Sequence, residues 1–494
     1  MVSEILQAQS PTKTQRWTFL AVISGGLFLI GVDNSILYTA LPILREQLAA
    51  TETQALWIIN AYPLLMAGLL LGTGTLGDKI GHRKMFLMGL ALFGLASLGA
   101  AFAPSAWALV IARAALGAGA ATMMPATLAL IRITFDDEKE RNTAIGIWGS
   151  IAILGAAAGP VIGGFLLEFF WWGSVFLINV PVAALALIAT VVVAPANMPN
   201  PDKHWDFLSS FYALLTLAGL IIAIKEFVSP ARMWPLFLGA LIILTVGAVL
   251  FSLRQKKLPE PLLDVSLFRN PLFSGGVLAA GMAMFTISGL EMTTSQRFQL
   301  SVGFTPLEAG LLMIPAALGS FPMSIIGGAN LHRWGFRNLI GGGFLATATG
   351  IALCIWGATH SDGLPLFIAG LFILGAGAGS VMSVSSTAII GSAPVRKAGM
   401  ASSIEEVSYE FGTLLSVAIL GSLFPLFYSL SAPAEVSDNF SAGVHHPLFG
   451  DAARASLDTA YINVLLIALV CALAAALLSS YLFRGNPKGA NNAH

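Results

Sequence analysis

Long apolar segments separated by short polar ones run through almost the whole chain. A bilayer core about 30 Å thick is crossed by about 20 apolar helical residues. The pattern therefore predicts an all-α integral membrane protein with fourteen spans. The predicted spans lie near residues 17–42, 54–77, 85–103, 107–131, 142–167, 172–194, 207–229, 233–252, 271–296, 307–331, 338–358, 364–388, 399–428 and 459–483.

The seventh and eighth spans are bracketed by polar stretches at 197–206 and 253–264. Removing this pair leaves six spans on either side, so we interpret it as an insertion between two six-helix halves. The predicted units are an N-terminal bundle at 1–203, the inserted pair at 204–257 and a C-terminal bundle at 258–494 with a long outer loop at 429–458. The first sixteen residues lack a signal-peptide pattern and are expected to form a short tail.

Lys and Arg residues predict the orientation, because cytoplasmic loops of membrane proteins are enriched in them. With both termini cytoplasmic, nineteen basic residues fall on the inner side and about five on or near the outer side. The inner set is Lys13, Arg16, Lys79, Arg83, Lys84, Arg132, Lys139, Arg141, Lys203, Arg254, Lys256, Lys257, Arg269, Arg333, Arg337, Arg396, Lys397, Arg484 and Lys488. The outer set is Arg45, Lys225, Arg232, Arg297 and Arg454.

Composition excludes several classes of protein. Of the 494 residues, 56% are hydrophobic and 10% are charged, and the formal net charge is zero. The mean hydropathy is +0.82. A chain this apolar cannot cover its surface with polar groups, and it has no basic domain for nucleic acid. The two cysteines, Cys354 and Cys471, lie in apolar runs, so we expect neither a disulfide framework nor a metal site.

Ionisable residues inside the spans are the candidate functional groups, because a charge at mid-bilayer costs roughly 2.5–3.5 kcal/mol or more. Asp33 lies about two-thirds of the way along the first span. Arg113 is deep within the fourth span and needs a counter-charge or a ring of carbonyls, for which Asp33 is the natural candidate. Asp33 could instead be a polar packing residue, and the pair could be purely structural.

Three further carboxylates, Glu405, Glu406 and Glu410, lie within six residues of one another. Glu406 and Glu410 share a helix face, whereas Glu405 is turned about 100° away. Two carboxylates in a poor solvent cannot both ionise cheaply, so we expect them to be able to exchange a proton for a cation. Alternatively they line a watery vestibule without a role. Glu291 lies near the outer end of the ninth span, where it is interfacial or buried.

A glycine-rich loop, "GTLGDKIGHRKMF", joins the second and third spans. Gly77 and Gly81 allow a tight turn and a close approach of helices. Asp78 can cap a helix or pair with Arg83.

These motifs resemble those of the major facilitator superfamily. The loop is similar to its signature through Gly74, Asp78, Lys79, Gly81, Arg83 and Lys84. "RAALGAGAA" resembles the motif of its fourth helix, with Arg113 in the basic position. "GAAAGPVIGG" resembles the fifth-helix motif of its antiporters through Gly155, Gly159, Pro160, Gly163 and Gly164.

"GVDNSILYTALP", with Asp33, is similar to the first-helix motif of the fourteen-helix drug:proton antiporters. Segments 171–181 and 402–412 are most similar to exporters of quaternary ammonium compounds and methyl viologen. Many relatives have Asp where this chain has Asn60, a departure that removes a possible cation-binding charge.

The resemblance implies two six-helix bundles that rock around a central cavity, in a monomer of the bacterial inner membrane. It implies proton-coupled efflux of lipophilic organic cations, such as quaternary ammonium biocides, dyes and bisbiguanides, from the cytoplasm or inner leaflet. Small organic cations, protons and the bilayer are the expected partners, without cofactor, metal or nucleic acid. The implied proton-coupling residues are Asp33, Arg113, Glu405, Glu406 and Glu410, and the implied substrate-binding residues are Asp33, Glu406, Glu410, Asn60 and Glu291.

Other functions fit the sequence less well. An exporter of a neutral or anionic metabolite with the same fold is the main alternative, but anions favour buried basic residues and only Arg113 qualifies. A membrane enzyme or an ATP-driven pump would need a nucleophile–base cluster or a nucleotide motif, and the spans carry neither. A passive scaffold leaves the membrane acids unexplained.

Overall fold

The structure is a computed structural model that describes residues 12–202, 205–228, 232–259, 261–360, 362–394 and 397–484. Regular structure in these ranges is entirely helical. Lys203, Arg396, Lys488 and the predicted boundary between residues 203 and 204 lie outside the described residues.

The N-terminal half and the inserted pair are formed by nine helices of the described chain. They are α1 (Lys13–Gln47), α2 (Glu52–Ile80), α3 (His82–Ala101), α4 (Ala106–Thr134), α5 (Glu138–Phe169), α6 (Ser174–Leu177), α7 (Asn179–Val193), α8 (Phe207–Val228) and α9 (Trp234–Lys257).

The C-terminal half follows a 3₁₀ turn at Val265–Arg269. Its helices are α10 (Pro271–Arg297, continued by a π turn at Phe298–Val302), α11 (Pro306–Leu311), α12 (Ile314–Thr359), α13 (Leu364–Ser392), α14 (Ala398–Ser431), α15 (Phe440–Gly443) and α16 (Gly450–Leu482).

Twelve helices of the described residues are long and apolar enough to cross a membrane. One of the twelve, Pro306–Thr359, contains Gly335, where the backbone leaves the helical region (φ 72°, ψ 162°) and the chain turns between two helices. Helix α5 is not among the twelve, because its described apolar part is limited to Leu154–Phe169. The predicted number of fourteen spans therefore stays a prediction.

Several helices extend beyond their predicted spans because polar caps lie outside the apolar segments. Thr12 accepts a hydrogen bond from the Gln15 backbone N–H (3.3 Å), and the Gln15 side chain accepts one from the Thr12 N–H (2.9 Å). Thr51 and Gln54 form the same reciprocal box at the start of α2. These boxes satisfy N–H groups that would otherwise lack a partner.

Direct backbone packing joins α1 to α5. A Cβ atom added at Gly155 would lie 2.7 Å from the Phe28 carbonyl oxygen, and one at Gly159 would lie 2.8 Å from the Val32 carbonyl oxygen. Gly163 faces Ile36 one turn further along. The antiporter-like motif thus brings two helices together where any side chain would separate them.

The two halves meet at the outer end, which we define as the end where α1 finishes and α2 begins. A Cβ atom at Gly164 would lie 2.6 Å from the Cα atom of Leu307, and one at Gly310 would lie 3.2 Å from the Cα atom of Val161. Helices α5 and α11 are therefore in backbone contact across the boundary between the halves.

Polar contacts reinforce the outer end. Gln299 donates through Nε2 to the Thr39 carbonyl oxygen (2.9 Å). The Arg45 guanidinium pairs with Glu52 and lies 4.2 Å from the ring centre of Phe440. Both sets of contacts join residues of the N-terminal half to residues of the C-terminal half, so the outer end is closed in this structure.

The connection predicted as a loop at 429–458 is shorter in the structure, because α14 continues to Ser431 and α16 begins at Gly450. Apolar side chains order this connection, since Val436, Phe440 and Val444 are buried. The predicted loop included the start of α16 because the first turn of this helix carries an exposed charged residue, Asp451, as a loop would.

The inserted pair packs on one side of the bundle. Helix α8 contacts α2 and α14, and α9 packs against α8. Arg254 of α9 pairs with Asp206 at 2.8 Å, and Gln255 donates to Ser209 at 2.7 Å. These bonds fasten the cytoplasmic ends of the two inserted helices to each other.

The loop between α2 and α3 is anchored to the segment after α7. Gly81 has a positive φ of 94°, which favours glycine, and Asn197 packs against it. Asn197 donates to the Ile80 carbonyl (2.8 Å) and accepts from the Lys84 N–H (3.1 Å). Gly74, by contrast, would place a Cβ in ordinary contact, 3.8 Å from Pro125.

The alternative pairing of Asp78 with Arg83 is wrong in this structure. Asp78 lies 3.1 Å from His82 Nε2, whereas Arg83 donates to the Val191 carbonyl at 2.8 Å. Carbonyl groups at the C-terminus of a helix have no donor within the helix, so those at the end of α7 are free to accept hydrogen bonds from Arg83.

Replacing Gly159 by Ala should destabilise the protein by about 1–3 kcal/mol, because the new methyl group would overpack against the α1 backbone. Gly25→Ala in α1 is the matched control, since nothing lies within 4 Å of its Cβ position. We expect a lower melting temperature for the first variant only, measured on purified protein in detergent. Equal melting of both variants would contradict the backbone contact between α1 and α5.

A second prediction concerns the ion pair between Asp264, just before the 3₁₀ turn, and Lys397 at the start of α14. The hydrogen bond from Lys397, with a smaller one from Ser266, lowers the pKa of Asp264 from 3.8 to about 2. The pair therefore stabilises the fold above pH 3.8, and this contribution is lost as the pH falls towards about 2.

Lys397→Gln should accordingly melt below the wild type at neutral pH, and the difference should shrink between pH 3.8 and about 2. Lys256→Gln, at an exposed position of α9, is the control and should show no such trend. A difference that stays constant to the lowest pH would show that the pair does not act through the Asp264 charge.

Candidate functional site

A fully buried ion pair lies in the centre of the N-terminal half. Arg113 of α4 donates through Nη1 to Asp33 Oδ2 of α1, and both side chains are 0% exposed. Arg113 Nε also donates to the Ile58 carbonyl oxygen (3.2 Å), and its guanidinium carbon lies 4.5 Å from the ring centre of Tyr62. The predicted partner, a carbonyl and an aromatic face thus surround one buried cation.

Asn179 of α7 holds the other oxygen of the carboxylate. Its Nδ2 donates to Asp33 Oδ1 at 2.7 Å and lies 3.3 Å from Ser97 Oγ of α3. Both Asp33 oxygens are therefore fixed, by residues of two different helices. The sequence reasoning missed Asn179 and Tyr62; the available signal was a lone amide directly after the apolar run "VFLI" in a segment used only for its resemblance.

A glycine on α4 permits this arrangement. A Cβ atom at Gly117, one turn after Arg113, would lie 3.0 Å from the Tyr62 carbonyl carbon. The absence of a side chain there lets α4 approach the α2 backbone closely. Arg113 consequently reaches the Ile58 carbonyl and the Tyr62 ring in one turn of α2.

Several buried polar atoms near the pair have no hydrogen-bond partner among the described residues. They are Arg113 Nη2, Asn179 Oδ1, Tyr62 OH and Glu410 Oε2. A buried polar atom left without a partner costs about 1–3 kcal/mol, so such atoms are unusual unless a site uses them. These atoms are therefore available for additional hydrogen bonds, which could form while the existing ones are kept.

The three acids of α14 form the second part of the site. Glu405 accepts a hydrogen bond from Tyr409 OH at 2.8 Å and is buried, as is Glu410. Glu406 is half-buried and interacts electrostatically with both neighbouring acids. The sequence predicted the shared face of Glu406 and Glu410, but it did not predict that Tyr409 binds Glu405.

The two parts of the site interact across the boundary between the halves. Helix α14 packs against α2, which carries Tyr62. Glu410 lies within electrostatic range of Arg113, and Tyr62 is within range of Asp33, Glu410 and Arg113. The structure therefore brings Asp33, Arg113 and Glu410 into one electrostatic group.

Glu291 lies near the outer end of α10, whereas Asn60 lies on α2 between Ile58 and Tyr62, the two residues that contact Arg113. Glu291 of α10 is half-buried and interacts with Tyr38, which is also within electrostatic range of Glu410. Asn60 is buried on α2 and lines a crevice with Lys225 of α8. The predicted binding residues are thus distributed over two regions of the interface.

Comparison with known proteins agrees with this architecture. A family model described as "Major Facilitator Superfamily" matches residues 23–290, which is more than half of the chain. The chain belongs to the major facilitator superfamily. The resemblance seen in its motifs is thereby confirmed, and the protein is a multi-pass protein of the bacterial inner membrane and a secondary transporter rather than an enzyme.

Two curated members of the superfamily are similar over most of the chain. The multidrug efflux pump LfrA of Mycolicibacterium smegmatis is 34% identical over 96% of this chain and 97% of its own length. The methyl viologen resistance protein SmvA of Salmonella typhimurium is 36% identical over 84% of each chain.

A solved structure shares the fold at low sequence identity. A bacterial homologue of the human lysosomal transporter Spinster, in an inward-facing and unoccupied conformation, superposes with a TM-score of 0.66 and is 16% identical. The match covers 97% of this chain and 100% of the other. This likeness supports the major facilitator fold, whereas the roles of the individual site residues stay predictions.

The buried pair generates a stability prediction. Asp33→Asn or Arg113→Gln alone should cost about 3–5 kcal/mol, because each leaves one buried group without its counter-charge. The double variant should recover most of that loss, since no unpaired charge remains. Melting temperatures of the purified variants would measure this.

Arg454→Gln is the control, because it breaks an exposed pair with Asp451 and should change little. Additive losses in the double variant would show that the two side chains do not stabilise each other.

Proposed function

We propose that this major facilitator protein is a proton-coupled multidrug efflux antiporter. Its substrates would be lipophilic organic cations, including quaternary ammonium biocides, dyes and bisbiguanides, taken from the cytoplasm or the inner leaflet. The observation that carries the proposal is the electrostatic group formed by Asp33, Arg113 and Glu410 across the two halves. The names of LfrA and SmvA, which describe multidrug efflux and methyl viologen resistance, support it.

Substrate recognition is assigned to the acids of α14. An ionised Glu406 or Glu410 attracts an organic cation, and a proton arriving at the same carboxylate cancels that attraction. Glu406 is half-buried and so is the more accessible of the two, while Glu410 is buried within electrostatic range of Arg113. Glu405, held by Tyr409, adds negative charge on the neighbouring face.

The link between proton and substrate is assigned to the buried pair. When Asp33 takes up a proton, Arg113 loses its counter-charge, and its attraction to Glu410 becomes more important. Arg113 Nη2 is unpartnered among the described residues and is available for a new bond. The protonation state of Asp33 would therefore change the affinity of the α14 acids for a cation, which is the coupling that exchange requires.

Transport also needs the outer end to open. In alternating access, the two halves rock around the binding region. The contacts that must separate are those of Gly164 with Leu307 and of Gly310 with Val161. Helices α1 and α5 carry Asp33 and these contacts respectively, and they are packed backbone to backbone, so they can move as one body.

The number of acids is consistent with the energetics. Moving one charge through 100 mV is worth about 2.3 kcal/mol. Exchange of a monovalent cation for one proton gains nothing from the potential and uses only the pH gradient. A divalent cation needs two protons to be electroneutral, and a site with several carboxylates can supply both.

Transport in proteoliposomes tests the proposal. With an imposed pH gradient and a pH-sensitive dye inside, addition of a quaternary ammonium compound should release protons in the wild type. Asp33→Asn, Glu406→Gln and Glu410→Gln should each reduce the signal strongly, because each removes a titratable group from the path. Glu435→Gln in the exposed outer connection is the matched control and should leave the signal intact.

Unchanged proton release in all three site variants would refute the assignment of the acids. Substrate movement driven by ATP without a pH gradient would refute the energy source.

A further inference from the structure

The carboxamide of Asn179 faces Asp33 with its nitrogen. Nδ2 donates to Asp33 Oδ1 at 2.7 Å and, more weakly, to Ser97 Oγ at 3.3 Å. The reverse orientation would place the amide oxygen against an ionised carboxylate, and neither of the two oxygens would have a hydrogen to donate. The observed orientation therefore suits Asp33 in its charged form. All three side chains are 0% exposed, so solvent does not relieve a mismatch between them.

Arg113 determines which oxygen of Asp33 a proton can occupy. Its Nη1 donates to Asp33 Oδ2, and a guanidinium keeps its protons in proteins. Oδ2 must therefore remain an acceptor, which leaves Oδ1 as the oxygen that becomes an O–H group. Oδ1 is also the atom that accepts from Asn179. Protonation of Asp33 would consequently set two donors against each other.

Rotation of the amide by a half-turn resolves this conflict. Asn179 Oδ1 has no hydrogen-bond partner within the described ranges, so turning it breaks no bond made by that oxygen. The terminal torsion of asparagine is broad and roughly two-fold, which makes both orientations accessible. After the turn, Oδ1 accepts from the Asp33 O–H group. The Ser97 hydroxyl, which can both donate and accept, then donates to the same amide oxygen.

Apart from Arg113, no titratable group in the described part of the chain is hydrogen-bonded to the Asp33 carboxylate. The Tyr62 ring of α2 faces the guanidinium, and Glu410 of α14 is within electrostatic range of it. Glu291 of α10 lies near the outer end of that helix. The amide at the start of α7 is thus the group already in place to receive a proton carried by the carboxyl group.

We propose that Asn179 is a positioning residue whose carboxamide makes a half-turn when Asp33 takes up a proton. It donates to the ionised carboxylate and accepts from the neutral acid, and Ser97 reverses its own hydrogen bond in step. The new O–H group is therefore never buried without a partner, which would be costly in a site closed to solvent. This inference rests on the proposed role of Asp33 in proton uptake and names the residue that makes both of its protonation states tolerable.

Infrared difference spectroscopy of the full-length protein in lipid films tests the rotation. Each hydrogen bond made by a protonated carboxyl group lowers its C=O stretching frequency. A change from neutral to acidic buffer should produce a carboxyl band that is missing in Asp33→Asn and so belongs to Asp33. In Asn179→Leu this band should move to higher frequency, because the O–H group has lost its acceptor. Asn330→Leu is the matched control and should leave the band in place, since Asn330 donates to the Ile326 carbonyl of its own helix (2.8 Å).

Melting temperatures provide a second arm that needs no acid. Asp33→Asn carries an NH₂ group where the protonated acid carries its O–H group, because Arg113 still requires an acceptor on the other side. A rotated Asn179 accepts from that NH₂ group, so adding Asn179→Leu should lower the melting temperature of Asp33→Asn further. Ser97→Ala is a smaller change that serves if the leucine variant does not fold. It should cost more in Asp33→Asn than in the otherwise unchanged protein, because before the turn the hydroxyl accepts only the weak 3.3 Å bond.

The half-turn is wrong if the Asp33 band keeps its frequency in Asn179→Leu. It is also wrong if Asn179→Leu leaves unchanged or raises the melting temperature of Asp33→Asn, as removal of a fixed donor would, or if Ser97→Ala costs the same in both proteins. A missing Asp33 band would show that this residue takes up no proton, and would overturn both this inference and its basis in the proposed function. The expected band beside a failed transport assay would refute the transport proposal alone.

Discussion

The ion pair between Asp33 and Arg113 is the interaction on which the rest of the site depends. Both groups are removed completely from solvent, and neither is stable there without the other. The surrounding protein is arranged to make the pair tolerable: Asn179 holds the second carboxylate oxygen, and the Ile58 carbonyl and Tyr62 ring contact the guanidinium. In the transport cycle that we propose, a proton on Asp33 would remove the counter-charge of Arg113, and for this reason the pair is assigned the role of proton sensor.

Small residues extend the influence of the pair through the bundle. Gly117 allows α4 to meet α2, and Gly155 and Gly159 allow α5 to meet α1. Gly164, on the same helix α5, contacts the C-terminal half at the outer end. The helix that carries Asp33 and the helix that contacts the C-terminal half at the outer end are therefore in backbone contact.

Much of this could be predicted from the sequence. Helix positions follow from apolar segments about 20 residues long, and the need of Arg113 for a counter-charge made Asp33 its expected partner. The ends of helices were less predictable, because the capping boxes at Thr12 and Thr51 are polar and lie outside the apolar segments. The start of α16 was not predicted either, because its first turn carries the exposed charge of Asp451 and so lies outside the apolar segment.

The sequence alone determined that the chain lies in a membrane, that its acids are costly there, and that its motifs resemble one superfamily, because each of these depends on residue type and local spacing. Only the tertiary structure decided that Asn179 and Tyr62 complete the ion-pair site, that Arg83 binds the end of α7 rather than Asp78, and that Asn60 lines a crevice with Lys225. Asn179 and Asp33 are 146 positions apart along the chain, and no local pattern encodes such a contact. These contacts form because glycines let the helices pack closely, and this packing brings side chains from distant parts of the sequence together.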